Sequence, residues 1–270
     1  MASITATLGT AASKVSLFGV ALSVPQKRVA IVVLTIAMVL AIWTGLVLAF
    51  RIPPYLVPKP TAVFHAFVDN WRVLATQTSF TLSAAGIGLL VSTVLAVVLA
   101  TTFVMNRHIA DAALPVVITF RSMPVTAIAP IILLMLGRGL ATSTVVVAIV
   151  SFFPLLVNLT RGLSIPDRNT QELLHVYGAS RWQELRYMRI PFALPFLFTG
   201  MRVAGANAIL GAMLSEWITG SRGLGNLILE SGEMRETELL WAAVLTSVVV
   251  GLCVFWLTSA GERRVLHWRR

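Results

Sequence analysis

The chain has 270 residues, of which 57% are hydrophobic and only 12% charged, and its mean hydropathy is +0.86. So much apolar surface cannot be hidden inside a soluble domain of this length, so the chain is expected to be integral to a membrane and all-α. The formal charge of +10 falls mostly in short polar segments between apolar stretches, where it reads as a topology signal. Nucleic-acid binding, which wants a basic soluble face, is excluded on that ground.

A helical span needs about 20 apolar residues. Candidate spans lie near 29–50, 78–104, 111–136, 141–163, 191–219 and 239–260. They use almost the whole chain and leave no room for a globular extramembrane domain, so an energy source is expected on another polypeptide. Residues 1–28 are rich in Ala, Ser, Val and Lys without a basic, then apolar, then small-residue order, and no cleavable signal is read there. The organisation expected is an N-terminal segment 1–28, a membrane domain 29–260 and a basic tail 261–270.

Past the first span, Ile52-Pro-Pro-Tyr-Leu-Val-Pro-Lys-Pro60 reads as a stiff extended linker, because each proline biases its predecessor away from helix. Residues 61–75 then suit an interfacial helix anchored by Trp71. In the third span, Arg121 lies about ten residues in, or about 15 Å at helical rise. Pro115, Pro124 and Pro130 are expected to break that span repeatedly, and broken helices at membrane depth often line a route. Packing kinks are the alternative.

Between the fourth and fifth spans, residues 164–190 are a polar, capped loop. Ser164 with Asp167 is a candidate start for a short helix, Gly178 is a natural left-handed stop, and Ser180 with Gln183 restarts the chain as a capping box. The first helix would carry Leu173, Leu174, Val176 and Tyr177 on one side, and the second Trp182, Leu185 and Met188. A side chain at Gly178 is expected to clash at the stop.

Arg202 in the fifth span sits at a depth similar to Arg121, where a charge is costly enough to be a functional hypothesis by default, with neutralisation by backbone carbonyls or a helix end as the structural alternative for each. Gly200, Gly205 and Gly211 with neighbouring alanines suit close helix approach. Glu216 could form an outer gate or pair with an arginine, and an interfacial location is the plain alternative. Beyond it, Arg222-Gly-Leu-Gly225 reads as a turn, and Glu230, Glu233, Glu236 and Glu238 as an acidic rim. Cys253 is the single cysteine, so no internal disulfide or multi-cysteine metal site can form.

Counting Lys and Arg with the N-terminus inside gives thirteen on the cytoplasmic side against six outside, which places both termini and the capped loop in the cytoplasm. The search for catalysis finds no Gly-Lys-Ser/Thr phosphate loop and no His-Glu-x-x-His. His65, His108, His175 and His267 are scattered. The chain is expected to be non-catalytic and to bind no metal.

The capped loop resembles the coupling loop of binding-protein-dependent importer permeases driven by ATP-binding cassette subunits. Their signature is Glu-Ala-Ala, a Gly six residues after the Glu, then an apolar residue and Pro. Glu172, Gly178, Met188, Ile190 and Pro191 keep that spacing, and Leu173 and Leu174 replace the two alanines. The resemblance runs from about residue 78 to the C-terminus, through Phe120-Arg-Ser-Met-Pro-Val-Thr-Ala-Ile-Ala-Pro130, Gly178-Ala-Ser-Arg-Trp182, Ile190-Pro-Phe-Ala-Leu-Pro195, Thr199-Gly-Met-Arg202, Ser215-Glu-Trp-Ile and Gly223-Leu-Gly225. One departure is Gly137-Arg-Gly139, where relatives carry a Phe-Gly-x-Gly turn. It looks closest to the subgroup for taurine, alkanesulfonates, nitrate or bicarbonate, and pyrimidine precursors of thiamin.

That resemblance implies a type I importer of the bacterial inner membrane, with two permease subunits (a homodimer of this chain), two cytoplasmic ATP-binding subunits, an external solute-binding protein and surrounding lipid. This chain would bind no cofactor, with ATP and Mg held on the partner ATPase. Glu172, Leu173, Leu174, Tyr177, Gly178, Ala179, Ser180 and Trp182 would couple to the ATPase. Arg121, Pro124, Arg202 and Glu216 would border the route, two in-span cations favouring an anion, with a pyrimidine-type precursor also open. A secondary transporter or channel-like membrane subunit is the rival. It would need internal repeats and mid-depth acidic or His residues.

Overall fold

A computed structural model describes residues 24–165 and 168–265, with the side chains of 24–29, 120–122 and 168 left out. Residues 1–23, the expected cap residue Asp167 and the tail beyond 265 lie outside the described residues. Every regular element among the described residues is a helix. Five helical stretches are long and apolar enough to cross a membrane, at Ala30–Ala49, Trp71–Met105, Leu140–Leu163, Arg181–Thr219 and Thr237–Val265, and Val125–Leu136 is a shorter apolar helix. The expected polytopic all-α architecture is what the chain adopts.

The chain divides into two compact units, residues 1–60 and 61–270. The first carries α1 (Val24–Ala49), an apolar helix with Thr35 and Thr44 returning their hydroxyls to the carbonyls four residues back. The second contains α2 (Pro60–Asp69), α3 (Trp71–Met105), α4 (Arg107–Ser122), α5 (Val125–Leu136), α6 (Leu140–Leu163), α7 (Arg168–Val176), α8 (Arg181–Glu184), a π-helical turn (Leu185–Arg189), α9 (Ile190–Thr219), α10 (Leu224–Glu233) and α11 (Thr237–Val265).

The interfacial helix expected over 61–75 is two helices, α2 and the start of α3, and the second span continues directly from it. The prolines of the third span also act differently from expectation. Only Pro124 interrupts the helix, standing at the N-cap of α5 with φ −65° and ψ 127°. Pro115 and Pro130 sit within α4 and α5. A proline forbids helix to the residue before it only where no neighbouring structure re-imposes it. Here that occurs at Met123 alone.

The core of the second unit is a sandwich of α6 between α3 and α9. Its contact lines are made of small residues: Ala84, Ala85, Gly88, Ser92, Ala96 and Ala100 on α3, and Ala204, Ala208, Gly211, Ala212 and Ser215 on α9. Within lipid, helix association rests on packing rather than on water exclusion, so backbones must come close. A Cβ built on Gly88 would meet Val147 at 2.6 Å and the Thr144 carbonyl at 2.8 Å, so this crossing needs a glycine. The glycines of α9 are packing residues, as expected, but they serve two neighbours. Gly200 and Gly211 face α6, and Gly205 faces Val254 of α11. Buried hydroxyls stitch the same surfaces: Ser215 donates to Ser143 at 3.3 Å, and Ser151 to the Ala204 carbonyl at 3.3 Å.

Candidate coupling loop and candidate translocation residues

The loop between α6 and α9 is built by local capping, largely as its sequence implies. At the end of α7, the Gly178 N–H donates to the His175 carbonyl at 2.9 Å and the Ala179 N–H to the Leu174 carbonyl at 3.0 Å, with Gly178 at φ +72°. This paired pattern is a Schellman stop, which needs a left-handed residue where Gly178 stands. The expected clash at Gly178 does not arise, because nothing lies within 4 Å of a Cβ built there. What forbids a side chain is the backbone conformation, not the space.

Ser180 then opens α8 with a full capping box. The Gln183 N–H donates to Ser180 Oγ at 3.3 Å, and the Ser180 N–H to Gln183 Oε1 at 2.7 Å. The π-helical turn follows and joins α9. Arg189 fastens this half of the loop to the body: its guanidinium pairs with Glu184 at 2.6 Å and donates to the Leu163 carbonyl at 2.9 Å, satisfying one of the carbonyls left open at the end of α6. Leu185 and Met188 are buried, and Leu185 belongs to the cluster formed by Leu155, Leu159, Leu163 and Phe103.

The two halves of the loop therefore differ in kind. The second is anchored, whereas α7 presents Leu173, Val176 and Tyr177 outward, with Val176 84% and Tyr177 80% exposed. Leu174 and Ala179 are half-buried beside the Schellman stop. Trp182, expected to cluster with Leu185 and Met188, is instead 59% exposed. Glu172 is exposed on α7 and makes a contact of its own. Apolar residues held outward on a doubly capped loop have the form of a docking surface.

The expected pathway residues lie on α4, on α9 and at the break between α4 and α5. Arg121 lies in the last turn of α4, one residue before the Ser122 end, and Pro124 marks the break that follows. Arg202 is ion-paired with Glu262 of α11 at 3.0 Å and also donates to Thr199 Oγ1 at 3.3 Å. The pair lies where α9 and α11 pack, so the charge of Arg202 is balanced by protein. We expect Arg202→Met to lower the thermal midpoint of the purified protein, with about 1–3 kcal/mol lost because the pair is only part-buried. The swap Arg202→Glu with Glu262→Arg should recover most of that loss. An unchanged midpoint for both single variants would leave the pair without a structural role.

Glu216, read as an outer gate, an arginine partner or an interfacial residue, is held by hydroxyl and backbone donors rather than by an arginine. It is fully buried, and its Oε2 accepts from Thr81 Oγ1 of α3 at 3.0 Å and from the Gly225 N–H at 2.9 Å. Thr81 in turn accepts the Leu224 N–H at 2.9 Å, and Gln77 Oε1 the Gly223 N–H at 2.8 Å. Three consecutive N–H groups at the start of α10 are thus capped by side chains of α3 and α9. The anion-favouring end of the helix dipole meets a carboxylate. Sequence reasoning missed Gln77, Thr81 and Glu262 entirely. The spacing of Gln77 and Thr81, four apart on one helix face, was the available signal, but nothing local linked it to α10.

The turns at this end of the bundle support this packing. Gly137 and Gly139 both have positive φ, at +74° and +140°, and the Gly139 N–H donates to Ser221 Oγ at 3.2 Å. Residues 74–267 match the model of the family described as "Binding-protein-dependent transport system inner membrane component". The chain belongs to that family.

The match begins inside α3 and spans the packed body, the capped loop and the α10 junction. This permease is 33% identical over 239 residues to the riboflavin transport system permease protein RibX of Chloroflexus aurantiacus, covering 87% of this chain and 88% of the relative. It is 29% identical over 218 residues to the formylaminopyrimidine transport permease protein ThiX of Halalkalibacterium halodurans, covering 80% and 87%. It is 21% identical over 254 residues to the taurine transport system permease protein TauC of Escherichia coli, covering 90% and 91%. This permease is accordingly a multi-pass inner-membrane subunit of an importer of the ATP-binding cassette type, and its relatives are non-catalytic membrane components.

Proposed function

We propose that this permease forms the route for a small uncharged heteroaromatic solute and couples it to a cytoplasmic ATP-binding subunit through residues 168–184. The coupling part is supported by the exposed Leu173, Val176, Tyr177 and Trp182 on a loop whose other half is pinned by Arg189 and Leu185. The substrate part is carried by the Arg202–Glu262 pair. With Arg202 balanced, the argument from two in-span cations to an anionic solute loses one of its two members. Riboflavin and formylaminopyrimidine, the solutes in the names of the 33% and 29% identical relatives, are heteroaromatic, whereas taurine belongs to a 21% identical one.

In this reading two copies of the chain pair across the route, and the break at Pro124 with the preceding Arg121 borders it. Two ATP-binding subunits hold ATP and Mg, and this chain holds no cofactor. An external solute-binding protein meets the acidic rim of Glu230, Glu233, Glu236 and Glu238, all exposed. The segment 1–28 and the tail 261–270 face the cytoplasm, following the excess of Lys and Arg on that side.

The test is competition for uptake in proteoliposomes carrying the whole importer with its binding protein. Riboflavin-type and aminopyrimidine solutes should compete for the transported solute, and taurine should not. Competition by taurine or alkanesulfonates alone would overturn the heteroaromatic reading and restore the anionic one.

A further inference from the structure

We propose that the cavity between the α3–α4 turn and α8 binds the phosphate of an anionic phospholipid headgroup. The cavity is about 510 Å³ and is walled by Arg107 and His108 on one side and by Arg181, Glu184 and Arg189 on the other. Its charges do not cancel. Glu184 is spent on Arg189 through contacts of 2.6 and 2.8 Å, and Arg189 is further held by the Leu163 carbonyl. Among the described residues Arg107 pairs with Asp111 alone, at 3.9 Å with both side chains exposed, a pair of little strength in water. No carboxylate pairs with Arg181 among the described residues.

Two guanidiniums thus face one cavity from different segments of the chain. Planar, persistently charged guanidiniums suit phosphate oxygens better than any other side chain does. The first turn of α4 is not the attractant, since Asn106 Oδ1 already accepts the His108 N–H at 3.0 Å and the Ile109 N–H at 3.4 Å.

The surroundings favour a lipid over a soluble anion. The cavity also touches Met105 and Leu185, and it lies where α3 ends. One to three turns deeper, α3 exposes Val94, Val97 and Val98, and α4 exposes Leu114, Val116 and Ile118, the surface a hydrocarbon layer covers. Tyr187 is exposed six residues past Arg181, and Arg186 lies 5.9 Å over its ring. Exposed aromatic rings beside arginines mark headgroup level. A basic recess at that level on the cytoplasmic leaflet meets anionic lipid. The leaflet rests on the orientation proposed above, whereas binding in detergent is blind to orientation and to solute, so the two readings fail separately.

The experiment titrates the purified full-length permease in mild detergent with phosphatidylglycerol, phosphatidylcholine or inorganic phosphate, reading thermal midpoint and lipid retention by native mass spectrometry. Phosphatidylglycerol should be retained and should raise the midpoint, and phosphatidylcholine should do neither. Arg107→Gln and Arg181→Gln, both at exposed positions, should each weaken phosphatidylglycerol binding about five-fold, with the Lys variants recovering most of it. Equal retention of both lipids, or glutamine variants that bind like wild type, would overturn the site. Inorganic phosphate acting as well as phosphatidylglycerol would make it a soluble-anion site and overturn the lipid. Loss of the ATP-binding subunit from Arg181→Gln with an unchanged lipid titration would assign the cavity to a protein partner.

Discussion

Gly225→Ala is expected to cost this permease at least about 1–3 kcal/mol, the scale of overpacking in a closed core. A Cβ at Gly225 would fall inside the shell of the Met213 carbonyl oxygen, a backbone atom in the middle of α9 that cannot swing aside. Gly223→Ala should be comparably damaging for another reason: its Cβ would displace the Glu216 carboxylate, and its φ of +136° is one that side chains rarely adopt. The two glycines let the start of α10 press against the carboxylate that caps it. Glu216→Ala should also destabilise, because the Gly225 N–H is left buried without an acceptor, at about 1–3 kcal/mol. Glu216→Gln keeps an acceptor oxygen for both Thr81 and Gly225 and should be much milder. Thermal midpoints in detergent would decide. A Gly225→Ala protein as stable as wild type would mean that α10 does not seat as described.

What was legible in the sequence is what local chemistry decides. The stop at Gly178 and the capping box of Ser180 and Gln183 involve partners within five residues, so spacing alone implies them. The side of an exposed apolar residue is different. Trp182 shares a three-residue spacing with Leu185 and Met188, yet it points outward while they are buried. Periodicity finds an apolar stripe but does not say whether this chain or a partner covers it. The π-helical turn that begins at Leu185 shifts the register besides.

Other contacts depend on distance along the chain. Glu262, the partner of Arg202, stands at the far end of another helix in a segment read as a cytoplasmic tail. Here α11 continues to Val265, and its final turns lie beside α9. Glu216 looked interfacial from its position near a span end. It is buried because α10 folds back against α3, which a spacing argument over residues 216–225 does not reveal. Proline was read too strongly, since one of three in the third span ends a helix.

The largest functional effect is expected from the exposed half of the coupling loop. Leu173→Ser combined with Val176→Ser should leave the thermal midpoint close to wild type, because these side chains are 56% and 84% exposed and bury little against the described residues. If they dock in a groove of the ATP-binding subunit, each forfeits up to about 1.5–3 kcal/mol of apolar burial. Together that would weaken association by as much as about a hundredfold or more, on the order-of-magnitude scale of about 1.4 kcal/mol per decade. Co-purification of the ATP-binding subunit and solute-stimulated ATP hydrolysis should fall together. Gly178→Val should reach the same end by another path, since a left-handed β-branched residue costs at least about 1–2 kcal/mol and would re-aim α7 relative to α8. Gly178→Asn, which tolerates that conformation, should retain most coupling. Full uptake and full solute-stimulated hydrolysis in the Leu173/Val176 double variant would show that α7 is not the coupling surface, and the ATP-binding subunit would have to contact another part of the inner face.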